Sequence, residues 1–478
     1  MYDVIIIGGG ISGTALAYEL SKQEGSILLL EKENDIADGT TKANSAIIHA
    51  GYDPMPETDM AKYNVMGNQM IQDLCKDLDV PCLPVGSLVV AFCEDEVKTL
   101  ETIMERGITN GVKGMRIVRD PELHEMEPNL NDQAVAALYA PSACIVNPWD
   151  LAIAYGETAV KNGADVRLNQ EVVRIGKDDA GFKVTTTKQT FYGKTVVNAA
   201  GVACDKILGM MRKPDYRIQP NKGEYYLLDK SQGSLVNHVI FQCPTKEGKG
   251  ILVAPTVHGN LIVGPSAMDC EEEDVSTTSL GLDMVKRAAL KSVPGINFRE
   301  NIRTFAGIRA RRADHGDFVI GEDPEVEGFF QIAAMQSPGL SSAPAIAVAM
   351  VKEFQNKGLF TVAKKDAITT RKIVRFKEMS AQERHAYIKE HPAYGRIICR
   401  CETISEGEIL DALHRVIPPV SIDGVKRRCN AGMGRCQGGF CGPRVQELIA
   451  RELGMRQEEV VQDKAGSIIL YGKTKGEN

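Results

Sequence analysis

The N-terminus contains the pattern that most constrains the fold. A β-type apolar run at residues 2–7 ends in a glycine turn, a helical pattern extends from Ile11 to Gln23, and a second apolar run at residues 26–30 ends in Glu31. Strand, turn, helix, strand and terminal acid together are typical of a βαβ unit that binds a dinucleotide. The sequence therefore predicts an α/β domain built on a Rossmann-like sheet.

Each glycine of the turn has a mechanical role in such a unit. Gly8 allows the tight turn, Gly10 lets the backbone approach a pyrophosphate, and Gly13 lets the helix pack closely on the strand. The helix N-terminus, which includes Ser12, offers N–H donors to the phosphates. Glu31 is well placed to accept hydrogen bonds from ribose hydroxyls.

The length and net charge of the chain limit the number of domains and the kinds of partner. With 478 residues the chain can form two or three domains, and its net charge of −7 gives no basic field that would attract nucleic acid. No apolar run reaches the ~18 residues of a membrane-spanning helix, so we expect membrane contact to be at most peripheral or through a partner. The N-terminal run lacks the positive region and cleavage site of a signal peptide. We therefore expect a cytoplasmic protein without a nucleic-acid partner.

Two later segments complete the predicted nucleotide-binding domain, namely a strand and turn at residues 194–201 and a glycine-bearing segment at residues 329–344. β-type alternation in the intervening stretches predicts a second, antiparallel sheet. We expect a discontinuous nucleotide-binding domain in residues 1–75, 146–217 and 304–362, and an inserted substrate domain in residues 76–145 and 218–303. A linker (363–395), a small cysteine domain (396–456) and a C-terminal tail with a frayed end (457–478) follow.

Five of the twelve cysteines crowd into residues 399–441, and four of them have the spacing of metal ligands, Cys399-x-Cys401 and Cys436-x4-Cys441. Four such thiolates can converge on one metal centre. Zinc is the alternative, but zinc sites favour gaps of two to four residues, so the one-residue first gap favours iron–sulfur chemistry. Cys429 is left outside the ligand set.

Basic residues surround these cysteines. They would either offset the negative charge of a thiolate-bound cluster or form a docking face for an acidic electron partner. The six residues are Arg400, Lys426, Arg427, Arg428, Arg435 and Arg444.

Four segments carry a resemblance to a known family: KANSAIIHAGYD (42–53), VNAAG (197–201), FAGIR (305–309) and SPG (337–339). They resemble the FAD-dependent glycerol-3-phosphate dehydrogenases, flavoproteins of the amino-acid-oxidase type, and most closely the catalytic subunit of the anaerobic multisubunit enzyme. The likeness covers essentially the whole chain, and its last part is similar to the BFD-like (bacterioferritin-associated-ferredoxin-like) [2Fe-2S] domain. It implies two cofactors, FAD and a [2Fe-2S] cluster, and a small helical C-terminal domain.

The resemblance also implies which residues surround the flavin. Residues 44–51 would pass beside the isoalloxazine ring, and residues 339–341 would cover its pyrimidine side with backbone N–H groups. Beyond the first βαβ unit, the candidate flavin-binding residues are Lys42, Asn44, Ser45, Gly201, Gly339, Leu340 and Ser341.

Oxidation of an alcohol on a flavin needs a base near the hydroxyl proton and a cation for any anionic group. Histidine has an intrinsic pKa suited to proton removal, which makes His49 the candidate base, and Arg309 can form two hydrogen bonds to an oxyanion. Lys222, Tyr225 and His258 are candidate pocket residues of the predicted substrate domain. A purely structural role stays open for each of the five.

These features predict an FAD-dependent dehydrogenase that oxidises sn-glycerol 3-phosphate to dihydroxyacetone phosphate by hydride transfer to flavin N5. Electrons would leave through the cluster to an electron-accepting flavoprotein or iron–sulfur partner subunit. Because Ala310 and not proline follows Arg309, the similar L-2-hydroxyglutarate oxidases remain an alternative, and amine oxidation ranks third. A non-catalytic electron-transfer subunit is the alternative outside enzymes, and the intact glycine motifs argue against it.

Overall fold

The computed structural model describes residues 1–244 and 250–472. Residues 245–249, inside the predicted substrate domain, and residues 473–478, the predicted frayed end, lie outside this description. The strands are β1 (Tyr2–Ile7), β2 (Ile27–Leu30), β3 (Ile47–Ile48), β4 (Cys82–Leu83), β5 (Ser87–Ala91), β6 (Arg116–Val118), β7 (Ala136–Ala140), β8 (Cys144–Val146), β9 (Asp165–Arg167), β10 (Val172–Asp178), β11 (Gly181–Thr186), β12 (Thr190–Asn198), β13 (Ile218–Leu228), β14 (Val239–Gln242), β15 (Leu252–Pro255), β16 (Leu261–Gly264), β17 (Met268–Asp269), β18 (Asn301–Arg312), β19 (Val319–Glu322), β20 (Phe329–Ala333), β21 (Ile397–Cys399) and β22 (Ile404–Ser405).

The helices complete the framework. They are α1 (Ile11–Ser21), α2 (Asp59–Asp77), α3 (Glu94–Thr109), α4 (Glu122–Met126), α5 (Pro148–Lys161), α6 (Cys204–Gly209), α7 (Ser279–Ser292), α8 (Gly339–Asn356), α9 (Ala381–Glu390), α10 (Glu406–Leu413), α11 (Ile422–Cys429) and α12 (Gly442–Leu453). None of the helices among the described residues combines the length and apolar character needed to cross a membrane.

The first sheet contains the predicted βαβ unit. Its parallel core has the order β20-β12-β1-β2-β9, and β10, β11 and β19 add antiparallel pairs. Val4 and Ile6 face the core cluster that contains α1, α5 and α8, whereas Ile5 and Ile7 face the opposite one. Burial on both faces explains why β1 is continuously apolar and does not alternate.

Among the described residues, the second sheet has nine strands and lies mainly in the inserted segments. Its longest pair is β13 with β18, antiparallel from Ile218↔Arg312 to Leu228↔Asn301. All of its strand pairs among the described residues are antiparallel except β5 with β14, which is parallel. The predicted boundary between residues 303 and 304 falls inside β18, so the second sheet extends to Arg312. A small sheet of β3, β8 and β4 lies beside it.

The predicted linker contains helix α9 and is anchored at its start. Arg371 is buried and donates hydrogen bonds to Asp150 (2.7 Å) and to the carbonyl oxygen of Leu78 (2.9 Å). The side chain of Arg375 contacts Asp79. These contacts fix the path of the chain from the oxidoreductase part to the cysteine domain.

The cysteine domain is small and mainly helical, as predicted. Helices α10, α11 and α12 and the hairpin β21–β22 enclose an apolar core that includes Ile409, Val425 and Ile449. Helix α10 begins with a capping box, in which Ser405 and Glu408 each bond to the other's backbone N–H.

Candidate active site and cysteine centre

The glycine turn has the geometry that a dinucleotide-binding loop requires. Gly8 has φ +113°, and a Cβ atom there would lie 2.3 Å from the carbonyl oxygen of Ala199. A Cβ atom on Gly13 would lie 2.0 Å from the carbonyl oxygen of Gly8, whereas one on Gly10 would meet only the hydroxyl of Thr41 at 3.3 Å. Packing therefore excludes side chains at Gly8 and Gly13, and Gly10 leaves open space at the start of α1.

The side chains of Glu31 and Thr41 bind the backbone of the glycine turn and of the start of α1. The buried Glu31 carboxylate accepts hydrogen bonds from the N–H groups of Gly9 (2.6 Å) and Glu33 (2.9 Å), and burial raises its pKa. The Thr41 hydroxyl accepts from the N–H of Ile11 at 2.9 Å. Gly10 is the N-cap of α1 and has no side chain, and Thr41 caps the first N–H group of the helix in its place. Thr41 was missed by the sequence analysis because its partner is thirty residues away.

The segment after Thr41 is held by its own side chains. Asn44 donates to the carbonyl oxygens of Thr40 (3.1 Å) and Thr41 (2.8 Å) and accepts from the N–H of Ala46 (2.8 Å). The Ser45 hydroxyl lies 3.1 Å from that of Tyr225, across the gap to the second sheet. Asn44 thus shapes the loop, and Ser45 faces the predicted pocket.

Lys42 has other partners than the predicted flavin. Its ammonium group pairs with the carboxylates of Asp38 and Asp463. Asp463 belongs to the predicted C-terminal tail, so that segment reaches the nucleotide-binding domain and is not free over its whole length.

His49 is fixed mainly through its backbone. Its N–H donates to the buried Ser341 hydroxyl (2.8 Å), and its carbonyl oxygen accepts from the side chains of Asn64 (2.7 Å) and Asn68 (3.2 Å). Its Nε2 lies 3.3 Å from the hydroxyl of Ser337. The two asparagines lie four residues apart on α2. That spacing places them on one helix face and was the signal that could have revealed them.

The other predicted flavin residues lie around the start of α8. Gly339 begins this helix, the half-buried Leu340 packs against the first core, and Ser341 is buried. A Cβ atom on Gly67 would lie 1.9 Å from the carbonyl oxygen of Ser341, so α2 and α8 are in close contact there. Gly201, with φ +59°, opens a 3-10 turn directly after β12.

One face of the β13–β18 pair collects the candidate substrate residues. Arg309 lies opposite Asn221 and donates to its side-chain oxygen (2.6 Å) and to the carbonyl oxygen of Ser266 (3.2 Å). Tyr225 and Phe305 share this face and stack with ring centroids 4.8 Å apart. The face therefore has an aromatic end and a cationic end, about 13 Å apart along the strand.

The loop that contains Asn44 covers this face. The Thr40 hydroxyl donates to the carbonyl oxygen of Ile308 at 2.6 Å, and a Cβ atom on Gly307 would lie 1.8 Å from the carbonyl oxygen of Ala43. At the aromatic end, the His49 ring stacks on Phe241, whose apolar cluster also contains Tyr225 and Phe305. The structure thus brings Ser45, His49, Tyr225 and Arg309 to one side of the second sheet.

Arg311 adds a second guanidinium to the cationic end, and the sequence analysis did not select it. It lies two residues beyond Arg309, hence on the same face of β18, and pairs with Asp269 at 2.6 Å. Its Nε atom is buried without a hydrogen-bond partner among the described residues.

Lys222 lies apart from this group. It pairs with Ile308, so its side chain points to the sheet face opposite that of Arg309. There it is buried, and its ammonium group pairs with Asp274 at 2.7 Å. The hydrogen bond from Lys222 lowers the pKa of Asp274 to about 2. The structure gives Lys222 a structural ion pair, not a place beside Arg309.

His258 is also separate. It precedes β16, which pairs with the Leu228 end of β13, roughly 20 Å along the strand from the residue that pairs with Arg309. Its Nε2 lies 3.1 Å from the Asn147 side-chain nitrogen. Burial and the nearby ammonium group of Lys377 lower its pKa to about 4. His258 therefore contacts Asn147 and lies apart from the predicted pocket.

The four predicted ligand cysteines converge as two pairs. The sulfur atoms of Cys401 and Cys436 lie 3.6 Å apart, and the Cys441 thiol bonds to Cys399, which lowers the pKa of Cys399 to about 6. The N–H of Gly432 donates to the Cys399 sulfur at 3.5 Å. Among the described residues no three His, Cys, Asp or Glu side chains form a group for a single ion.

Cys429 has a hydrogen bond within its own helix. Its thiol donates to the carbonyl oxygen of Val425 at 3.4 Å within α11, and burial raises its pKa to about 12.

Two predicted basic neighbours of the cluster instead bind the nucleotide-binding domain. Asp35 accepts from Arg427 (3.0 Å) and twice from Arg428 (2.8 Å each), and all three side chains are buried. Arg427 also reaches Asp38 (3.1 Å) and Asp463 (2.8 Å). A buried ionic network therefore joins the cysteine domain to the loop that follows Glu31.

Comparison with known proteins shows the family of the chain. Residues 3–353 match the model of the FAD dependent oxidoreductase family, and residues 397–451 match the BFD-like [2Fe-2S] binding domain. The chain belongs to the FAD dependent oxidoreductase family. Its cofactors are FAD and a [2Fe-2S] cluster, so the predicted fold class, enzyme class and cofactors are confirmed.

Relatives of this oxidoreductase include enzymes of two substrate classes. The chain is 48% identical to the glycerol 3-phosphate dehydrogenase of Caloramator mitchellensis over the whole of both chains. It is 32% identical to the L-2-hydroxyglutarate dehydrogenase of Indibacter alkaliphilus over 56% of this chain and 68% of that one. The solved FAD-bound L-alpha-glycerophosphate oxidase of Mycoplasma pneumoniae superposes with a TM-score of 0.74 at 30% identity, covering 78% of this chain and 99% of that one.

The residues present fit both cofactors of this oxidoreductase. The lack of a side chain at Gly10, the N-terminus of α1 and the Glu31 carboxylate suit a pyrophosphate and a ribose. Two thiol pairs with nearby backbone N–H groups suit a [2Fe-2S] cluster.

Proposed function

We propose that the chain oxidises the secondary hydroxyl of sn-glycerol 3-phosphate and forms dihydroxyacetone phosphate. The observation that carries this proposal is the 48% identity, over the whole of both chains, to the glycerol 3-phosphate dehydrogenase of Caloramator mitchellensis. The cationic end of the β13–β18 face, with Arg309 and Arg311, supports it because a phosphate carries more negative charge than a single carboxylate.

In this proposal, Arg309 binds and orients the phosphate, and Asn221 holds the guanidinium in place through the 2.6 Å hydrogen bond. The elongated substrate then points its hydroxyl toward the aromatic end of the face. Tyr225 and Phe305 exclude water there and limit the width of the pocket.

His49 accepts the hydroxyl proton in this proposal. Its backbone is bound by Ser341, Asn64 and Asn68, so the position of the ring depends on few free torsions. When bound, FAD supplies the hydride acceptor, and the [2Fe-2S] cluster supplies a one-electron outlet toward a partner. We further propose that this partner is an electron-accepting flavoprotein or iron–sulfur subunit and that the chain acts in the cytoplasm.

L-2-Hydroxyglutarate is the second candidate substrate, favoured by the 32% identity to the Indibacter alkaliphilus dehydrogenase. Its two carboxylates could use the same arginines, so the geometry of the cationic end supports both anions.

The test is an anaerobic absorbance titration of the purified protein with sn-glycerol 3-phosphate, L-2-hydroxyglutarate and L-proline in parallel. We expect glycerol 3-phosphate to bleach the flavin absorbance and to do so at lower concentration than the other two. If only L-2-hydroxyglutarate bleaches the flavin, the second candidate is the substrate. If dithionite bleaches the flavin but no substrate does, the proposed reaction is refuted.

A further inference from the structure

The loop between the last two ligand cysteines presents a large apolar side chain to solvent. Phe440 is 87% exposed and directly precedes Cys441. A single exposed aromatic residue needs no explanation in itself. Here it adjoins two further features of the same surface, a recess and a layer of arginines.

The recess lies along helix α12. It has a volume of about 250 Å³, with Ile398 and Leu448 as its apolar residues. Ile398 directly precedes Cys399, and Arg444 follows Cys441 by three residues, so the recess adjoins the cysteine centre. Its polar lining consists of Arg396, Arg444, Arg451 and Glu447.

The outer layer of this surface is basic. Arg396 and Arg451 both pair with Glu406, and their side chains are 59% and 55% exposed while that of Glu406 is only 10% exposed. The guanidinium groups therefore cover the carboxylate. Arg444 on the same surface is 58% exposed and pairs with Glu447, which is 45% exposed, so the exposed arginines here outnumber the exposed carboxylates. An approaching protein meets positive charge here.

The opposite side of the cysteine centre is already occupied by the rest of the chain. Arg435 pairs with Glu300 at 3.1 Å, and Lys230 pairs with Glu402 at 2.7 Å. Cys399 and Cys441 are buried, whereas Cys401 is exposed. Glu402 follows Cys401 and Arg435 precedes Cys436, so these two thiols lie on the side that the second sheet holds, whereas Cys399 and Cys441 lie next to the recess residues Ile398 and Arg444.

We propose that Phe440, Arg400, Arg444 and the recess form a docking face for an acidic protein that accepts single electrons. This rests on the proposed function, because a donor of two electrons needs such an outlet. Phe440 provides the apolar anchor that enters a pocket of the partner, and the arginines steer and align it. The three side chains touch the partner and are not ligands of the cluster.

The electron balance sets what the partner must accept. Each secondary alcohol oxidised to a ketone releases two electrons and two protons. Two one-electron acceptors therefore each take one electron per substrate oxidised, and the protons pass to water.

The experiment uses ferric cytochrome b5, a small acidic haem protein, as the probe and the holoenzyme as the binder. Binding to the immobilised enzyme is measured by biolayer interferometry without substrate, at 20 mM and 200 mM salt. We expect binding at low salt that weakens at least tenfold at 200 mM, because the contact is between exposed charges. F440A and R444E should each weaken low-salt binding about tenfold, and the F440A loss should persist at 200 mM.

Two matched controls share the chemistry but lie elsewhere. Y192A removes an exposed aromatic ring from β12, and R456E reverses an exposed arginine beyond the far end of α12. Both should bind cytochrome b5 as the unaltered enzyme does. The [2Fe-2S] absorbance must be equal in all variants, which separates docking from loss of the cluster.

Turnover supplies the second measurement. With glycerol 3-phosphate, F440A and R444E should reduce cytochrome b5 about tenfold more slowly, while substrate bleaching of their flavin stays unchanged. If glycerol 3-phosphate does not bleach the flavin of the unaltered enzyme, the proposed reaction is refuted. The docking face is then tested by the binding measurement, which uses no substrate. The docking face is refuted if the unaltered enzyme does not bind the probe or if the controls lose as much affinity as F440A.

Discussion

Replacing Asp35 by asparagine tests how the cysteine domain is held on the oxidoreductase domain. The side chain is 1% exposed and accepts three hydrogen bonds from Arg427 and Arg428. Asparagine has nearly the same volume but no charge, so two buried guanidinium groups lose their shared counter-ion. Breaking a buried ion pair in this way costs about 3–5 kcal/mol.

The assay is urea unfolding followed by two signals, [2Fe-2S] absorbance for the cysteine domain and flavin fluorescence for the oxidoreductase domain. With a slope of about 1–3 kcal/mol per M urea, a loss of about 3 kcal/mol lowers the midpoint of the first transition by about 1 M or more. The flavin transition should move less. R435A is the control, because its pair with Glu300 is exposed and should contribute less than about 1 kcal/mol.

The pH dependence of the same transition provides an independent measurement. Burial raises the pKa of Asp35, but Arg428 and Arg427 outweigh it, so the folded pKa lies below the ordinary value. The stabilisation is therefore complete above the unfolded pKa of about 4 and is lost as pH falls below it. D35N should lack part of this acid dependence. A variant with an unchanged urea midpoint and the same acid dependence would show that Asp35 does not hold the domain.

Three further predictions concern the site itself. Loss of a charged hydrogen bond costs about 1.5–3 kcal/mol, so R309K should lower kcat/KM for glycerol 3-phosphate about 10- to 100-fold. K222M changes a residue on the opposite sheet face and should leave KM within about twofold. Equal effects of the two variants would refute the assignment of the two faces. H49N keeps the backbone contacts with Ser341 and should reduce kcat about 10²- to 10⁴-fold in steady-state assays, and a normal kcat would exclude His49 as the base. C401S should abolish the [2Fe-2S] absorbance while glycerol 3-phosphate still bleaches the flavin, and C429S should keep that absorbance. Loss of the cluster in C429S and its retention in C401S would show that Cys429 is a ligand in place of Cys401.

The sequence predicted elements whose signals are local. The βαβ unit followed from continuous apolar strands and glycine spacing, because burial on both faces of β1 and close packing at Gly13 leave a direct mark on residue types. The spacing of the four cysteines predicts a ligand set in the same way. His49 and Arg309 could be selected because their segments resemble a known family.

Contacts between distant segments left no comparable mark. Asp35 and Arg428 are 393 residues apart, and neither has a neighbour pattern that indicates burial. Lys42, by contrast, was selected from a motif, yet its ammonium group pairs with Asp38 and Asp463. Strand alternation places Lys222 and Arg309 on opposite faces of the sheet only when the register of β13 and β18 is known. The sequence does not give that register.

One segment, residues 31–49, connects all three parts of the molecule. Glu31 supports the glycine turn, Asp35 and Asp38 bind the cysteine domain, and His49 lies at the aromatic end of the substrate face. These contacts all lie within residues 31–49, so we expect a shift of the cysteine domain to displace the segment that positions His49. Docking of the cysteine domain and order at the substrate face should then be coupled. For this reason we expect D35N, although remote from the substrate face, to raise the KM for glycerol 3-phosphate as well as to lower stability.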